Sequence, residues 1–195
     1  MDKHYLQQLN HVVTVLKRHH SPHDACAAVD RAVQALVGHR LFTVLYVAPG
    51  GDEVARIYSS DPVSYPLRGR KRMGPTPWGE RVIKQGRAYV GNNDDDIRWA
   101  FPDHELIRSL GLGATLNIGV AYGGRVVGTL NILDRAGKSA ATGVVITSGL
   151  QSRPVSARIA ALCHSAAQPK RDHQSPQIQQ YACLEIVYAG EDRRH

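Results

Sequence analysis

The stretch from Gly111 to Asp134, GLGATLNIGVAYGGRVVGTLNILD, constrains the fold of this chain more than any other part of it. It reads as two alternating strands joined at Tyr122-Gly123-Gly124-Arg125. Side chains alternate along a strand, so Leu112, Ala114, Leu116, Ile118 and Val120 share one face of the first strand, and Thr115 and Asn117 take the other. In the second strand Val126, Leu130 and Ile132 fall together, opposed by Val127, Thr129 and Asn131. One side of the hairpin is oily and the other carries hydroxyls and amides. Small uncharged polar groups on a sheet face suit a ligand pocket better than open water. The hairpin therefore points to a type of site without naming the ligand.

The elements upstream build toward that hairpin. Apolar residues at Tyr5, Leu9, Val12 and Leu16, flanked by Leu6 and Val13, have helical spacing and predict a helix over Tyr5 to His19. A second helix follows, with Ser21 as its cap, Pro22 at the first helical position, Asp24 in the first turn and Gly38 as its stop. Leu41 to Ala48 is rich in β-formers, Pro49-Gly50-Gly51-Asp52 turns the chain, and Glu53 to Ser59 is the partner strand. An irregular stretch, Ser60 to Pro77, precedes a helix capped by Thr76 and stopping near Gly86. Arg87 to Gly91 reads as a short strand, Asn92 to Asp96 as a turn or helix start, and Asp103 to Gly111 as a short helix. Hairpin strands with helices inserted between them predict an α+β fold around one antiparallel sheet.

At 195 residues the chain can bury one core. No apolar run approaches a membrane span, and the polar N-terminus lacks the apolar centre of a signal peptide, so a cytoplasmic location without membrane contact is expected. Cys26, Cys163 and Cys183 are widely spaced and form no CxxC pair, which argues for reduced thiols. The net charge of +7 invites a nucleic-acid reading, but the basic residues are scattered and no basic recognition helix stands out. The exception is Arg68, Arg70, Lys71 and Arg72, in a segment whose prolines and glycines predict a loop, either solvated or facing an anion near a pocket. After Arg135 the texture changes: no acidic residue occurs from Ala136 to Arg171, and Gln168 to Gln180 reads as linker or disorder. Residues 1–138 are expected to form the domain and residues 139–195 an atypical, partly disordered extension, with Ser156 to Cys163 as a short helix and Tyr181 to Ala189 as a strand or partner-binding segment.

Three runs resemble the GAF domain family: TPWGERVIKQGRAYVGN (Thr76 to Asn92), FPDHELIRSLG (Phe101 to Gly111) and LNIGVAYGGRVVGTLNILD (Leu116 to Asp134), the last like the family's closing hairpin. The resemblance covers about half of the chain, from about Leu41 to Asp134. It implies a central antiparallel sheet with terminal helices on one face, and loops and short helices covering a small-molecule pocket on the other. Cyclic nucleotides, haem, bilins and small metabolites are all ligands that the resemblance allows, and the fold does not choose among them. The family's long closing helix has no clear counterpart after Asp134.

Under that resemblance Thr115, Asn117, Thr129 and Asn131 point toward the pocket, where a ligand, water or neighbouring loop backbone would satisfy them. Trp78 and Trp99 lie in covering segments, and Tyr46 and Phe101 are aromatic candidates of the same kind. Arg72, near the expected rim, is placed to hold a carboxylate or phosphate, so an anionic ligand is one expectation. The cofactor is left open and no metal site is indicated: Asp94-Asp95-Asp96 lacks EF-hand spacing, and His19, His20 and His23 have no further ligand nearby in sequence. The leading expectation is a sensory module without catalytic residues, acting on a partner or through self-association by the Tyr5–His19 helix. The alternative is a redox enzyme like the GAF-type free methionine sulfoxide reductases, although no cysteine lies between Leu41 and Asp134. A nucleic-acid-binding regulator is the weakest of the three.

Overall fold

The protein is described by a computed structural model that covers residues 3–17, 21–67, 70–138 and 161. The expected extension beyond 138, with its helix and strand, lies outside the described residues apart from 161, as do His19 and His20. Two helices come first, α1 (Lys3–Lys17) and α2 (Pro22–Leu36). Ser21 caps α2 by accepting the Asp24 backbone N–H at 3.2 Å, and its hydroxyl donates to the Asp24 carboxylate at 2.8 Å. Gly38, at φ +72°, takes the left-handed conformation that turns the chain out of the helix.

The strands are β1 (Leu41–Val47), β2 (Glu53–Ser59), β3 (Arg70–Arg72), β4 (Tyr89–Gly91), β5 (Ala114–Tyr122) and β6 (Arg125–Asp134). They form one six-stranded sheet in the order β3-β2-β1-β6-β5-β4, and each neighbouring pair is antiparallel. The expected α+β fold is therefore the observed one. Between β3 and β4 lies α3, which starts helically over Pro77–Gly79 and widens into a π turn over Glu80–Lys84. Two short helices, α4 (Asp94–Ala100) and α5 (His104–Ser109), precede the closing hairpin. Asn93 caps α4 by accepting the Asp96 N–H at 2.9 Å, which resolves Asn92 to Asp96 as a helix start.

The hairpin turns at Gly123 and Gly124, both at positive φ (+58° and +78°), the backbone that a two-residue turn between twisted strands requires. Its faces follow the alternation except at Leu112, which precedes β5 and packs with Ile107 and Leu133 under the cover rather than with the helices, and at one bulge. A bulge opposite Val120 and Ala121 leaves Val127 unpaired, with Ala121 opposite Val126 and Val120 opposite Gly128. The extra residue reverses the alternation, so Val126 joins the covered face with Trp78 and Val82, and Val127 packs on the helical side. A further correction concerns the basic segment. Arg70–Arg72 is not loop but an edge strand paired with Glu53–Ala55. Charged side chains on an outermost strand keep its open edge from pairing with another sheet.

The oily face packs against the helices. Ala25, Cys26, Val29, Ala32 and Val33 of α2, with Val12 of α1, meet Phe42, Val44, Tyr46, Leu116, Ile118, Leu130 and Ile132. A polar tie reinforces this layer: Tyr58 Oη donates to Asp30 Oδ2 at 2.7 Å, and His39 Nε2 lies 2.7 Å from Asp30 Oδ1. Burial, with help from that bond and the Asp30 charge, pushes the Tyr58 hydroxyl well above its ordinary range.

Asp134 closes β6. It accepts from Lys138 Nζ at 2.7 Å and from the Arg135 N–H at 2.8 Å. Burial works to raise the pKa of this carboxyl, but the two bonds and the nearby Lys138 and Arg40 charges outweigh it and hold it below the usual value. A carboxylate held low in the folded chain stabilises it above the unfolded value, about 3.9, and loses that contribution as pH falls through the folded one. Thermal melts between neutral pH and pH 3 are expected to show a smaller acid-induced loss for Asp134→Asn than for wild type. Among the described residues no helix is long and apolar enough to cross a membrane.

Candidate functional site

The register of the sheet sets the polar face. Asn117 on β5 lies directly opposite Asn131 on β6, and Asn131 lies opposite Thr43 on β1. Side chains that face each other across antiparallel strands are close enough to bond, and here they do. Asn117 Nδ2 donates to Asn131 Oδ1 at 2.9 Å, and Asn131 Nδ2 donates to Thr43 Oγ1 at 3.3 Å. The hydroxyls of Thr115 and Thr129 donate at 3.3 Å to the amide oxygens of Asn117 and Asn131 respectively. Trp78 completes the row from above, its indole N–H donating to Asn117 Oδ1 at 3.2 Å. All of these groups are buried, and Asn117 is fully so, at 0% exposure. The row is closed on itself, as buried polar groups must be to avoid a desolvation cost.

The covering layer is anchored by close approach and by caps. A Cβ on Gly119 would stand 3.0 Å from both Val82 O and Val126 Cγ2, so the absence of a side chain lets α3 settle onto β5. Thr76 caps α3 by accepting the Gly79 N–H at 3.0 Å, and this fixes Trp78 over the amides. Tyr65 Oη donates to Asp103 Oδ2 at 3.2 Å and joins the 61–67 segment to the start of α5. Burial, with the Asp103 charge and that bond, raises the Tyr65 hydroxyl well above its ordinary range.

Beside this row the cover stands clear of the sheet and leaves a cavity of about 390 Å³. Its walls are largely apolar, including Leu41, Leu45, Val54, Met73, Trp78, Phe101, Ile107 and Leu133. Thr43 and Asn131 supply polar floor, and Arg56, Arg70, Arg72 and Asp103 supply charge. The volume lies within the range that holds small molecules, and mostly apolar walls with a few convergent polar groups are the usual make-up of such sites. Arg56 rises from β2 and stacks over the Tyr65 ring, 4.8 Å from its centroid. Its Nη1 donates to Pro66 O at 3.3 Å, while its Nε is buried without a hydrogen-bond partner among the described residues. Burial works against its charge, and the neighbouring Asp103 and Tyr65 offset this in part.

Of the residues expected from sequence, Asn131, Trp78, Phe101 and Arg72 line the cavity. Thr115, Asn117 and Thr129 lie on the expected face but are sealed inside the polar row and do not border the hollow. Tyr46 belongs to the other face, where it packs against the helices. Trp99 is 46% exposed and stacks on Tyr89 with ring centroids 4.9 Å apart, outside the cavity. Sequence reasoning missed Thr43, Arg56, Tyr65 and Asp103, whereas Arg70 belongs to the basic cluster expected near a pocket. Thr43 and Arg56 were legible as polar residues on the inward alternation of β1 and β2. Tyr65 and Asp103 meet only through the tertiary fold.

No thiol lines the cavity among the described residues. Cys26 sits in the helix-facing core, and burial, assisted by the Asp30 charge, pushes its thiol up to about 12. A thiol so placed stays protonated and inert near neutral pH. Among the described residues no cluster of three or more His, Cys, Asp or Glu could hold a metal ion.

No protein-family model and no curated protein sequence matches this chain. Solved structures do. The GAF domain of a phosphoenolpyruvate-protein phosphotransferase from Coxiella burnetii superposes with a TM-score of 0.64 at 15% identity, over 84% of this chain and 97% of that one. The GAF domain of a cyanobacterial phytochrome, bound to phycoerythrobilin, superposes with a TM-score of 0.62 at 12% identity, over 87% and 100%. The free methionine-R-sulfoxide reductase of Neisseria meningitidis, solved with its substrate, superposes with a TM-score of 0.61 at 18% identity, over 85% and 95%. At these identities the likeness concerns the fold.

Proposed function

This chain has a GAF-domain fold, and from that premise we propose that it is a sensory, small-molecule-binding module without chemistry of its own. The observation that carries this reading is the 390 Å³ cavity between the amide-bearing sheet face and its cover. Two of the structural neighbours are named for a bound molecule, a bilin in one and a substrate in the other. A reductase reading would need a reactive thiol at the hollow, and the buried Cys26 lies on the opposite face of the sheet. Cys163 and Cys183 lie outside the described residues.

Output passes to a partner protein or to a second copy through α1. Within the fold, α1 packs on α2, with Val12 buried and Leu6 still 40% exposed at its surface. Binding shifts such an assembly only if the ligand favours one of its states. The test is a melt of the purified protein with a small-molecule extract of its source cells, beside Leu45→Trp, which pushes an indole into the hollow from β1. Stabilisation of wild type and not of Leu45→Trp is expected. Equal shifts in both proteins would place binding elsewhere, and no shift in wild type would count against the sensory reading. Sedimentation velocity with and without the active fraction reads the output, and an unchanged assembly state would turn attention from self-association to a partner.

A further inference from the structure

The charges around the hollow are unbalanced in a way that selects a ligand class. Three guanidinium groups line it, from Arg56, Arg70 and Arg72. Two carboxylates answer them. Glu53 Oε1 lies 3.2 Å from Arg70 Nη1, and Asp103, bonded to Tyr65, stands near Arg56 on the same wall. The Arg72 side chain has no hydrogen bond or ion pair among the described residues. One positive charge is therefore left over at the β3 side of a cavity whose remaining walls are mainly hydrocarbon and aromatic rings. A dianion would bring more negative charge than this one group neutralises, and a cation would meet repulsion. A neutral molecule would leave Arg72 as it is and gain nothing from it.

Resting on the receptor reading above, we infer that the ligand is a singly charged oxyanion on an apolar frame. Its anionic group seats on Arg72, and its body lies against Trp78 and Phe101. The guanidinium presents paired N–H donors that match the two oxygens of a carboxylate, and a partly enclosed site strengthens such a bond relative to open water. A carboxylate and a phosphodiester share this chemistry.

The test is calorimetric titration and thermal shift with a panel of arylalkyl and branched-alkyl carboxylates, each beside its carboxamide and its amine, plus simple aryl phosphodiesters. The acids, the phosphodiesters or both are expected to bind at least about tenfold more tightly than the matched amides, and the amines not at all. Arg72→Gln is expected to bring the preferred anion down to the level of its amide, and Arg72→Lys to recover part of the difference. Arg72 is exposed on an edge strand, so an unchanged melt without ligand confirms that both variants fold. Amides binding as well as acids, or anion affinity unchanged in Arg72→Gln, overturns the inference. If Leu45→Trp then removes amide and acid alike, the receptor reading stands and only the charge assignment falls. A panel without any binder overturns the inference as well, and the receptor reading is then decided by the cell-extract melt.

Discussion

Asn131→Leu is expected to destabilise the fold by about 3 kcal/mol or more, because it strands buried donors without changing side-chain bulk much. Asn131 accepts from Asn117 Nδ2 and Thr129 Oγ1 and donates to Thr43 Oγ1, so its loss leaves several polar atoms unpaired at once. The cost of each orphaned group, about 1–3 kcal/mol, exceeds the net value of the bond it once made. Urea denaturation of Asn131→Leu, Asn117→Leu and the double variant checks this. The two single losses are expected to sum to more than the double loss, by roughly 0.5–3 kcal/mol, because each variant breaks the same 2.9 Å bond. Additive losses would mean that the two amides stabilise the sheet independently.

The second large effect separates the two tryptophans. Trp78 is 4% exposed, caps the polar row and forms a wall of the cavity. Trp78→Ala removes a buried indole and leaves Asn117 short of a donor, for an expected cost of about 3–5 kcal/mol. Trp99→Ala removes only a half-exposed ring stacked on Tyr89, for about 1 kcal/mol or less. Denaturation midpoints of the two variants, compared with wild type at equal slope, measure the contrast. Similar losses from both would show that the cover is held by its outer surface rather than by the contact with the amides.

The parts legible in the sequence were those governed by local rules. Alternation placed Leu116, Ile118, Leu130 and Ile132 on the helix-facing side and Thr115, Asn117, Thr129 and Asn131 on the other, as observed. Cap chemistry located the starts at Ser21 and Thr76. The failures had non-local causes. The bulge at Val127 reversed one step of alternation, and nothing in VVG announces it. Arg70–Arg72 became a strand because β2 offered an open edge, although prolines and glycines flank it. Tyr46 is no pocket aromatic, and its parity with Phe42 and Val44 already places it among the helices. Thr115, Asn117 and Thr129 are polar for one another and for Trp78, which requires knowing that Asn117 and Asn131 face each other across the ladder. The three arginines and Asp103 converge from β2, β3 and α5, and no spacing within a single segment carries that information.

Native mass spectrometry of the full chain purified from its own cells tests the central claim most directly, with Leu45→Trp prepared in parallel. A sheltered hollow that serves as a receptor predicts a wild-type species heavier than the bare chain, an added mass that is released on unfolding and missing from the variant. A bare wild-type mass in every preparation, together with a melt that no cell extract moves, would contradict the account and leave the hollow a feature of packing alone.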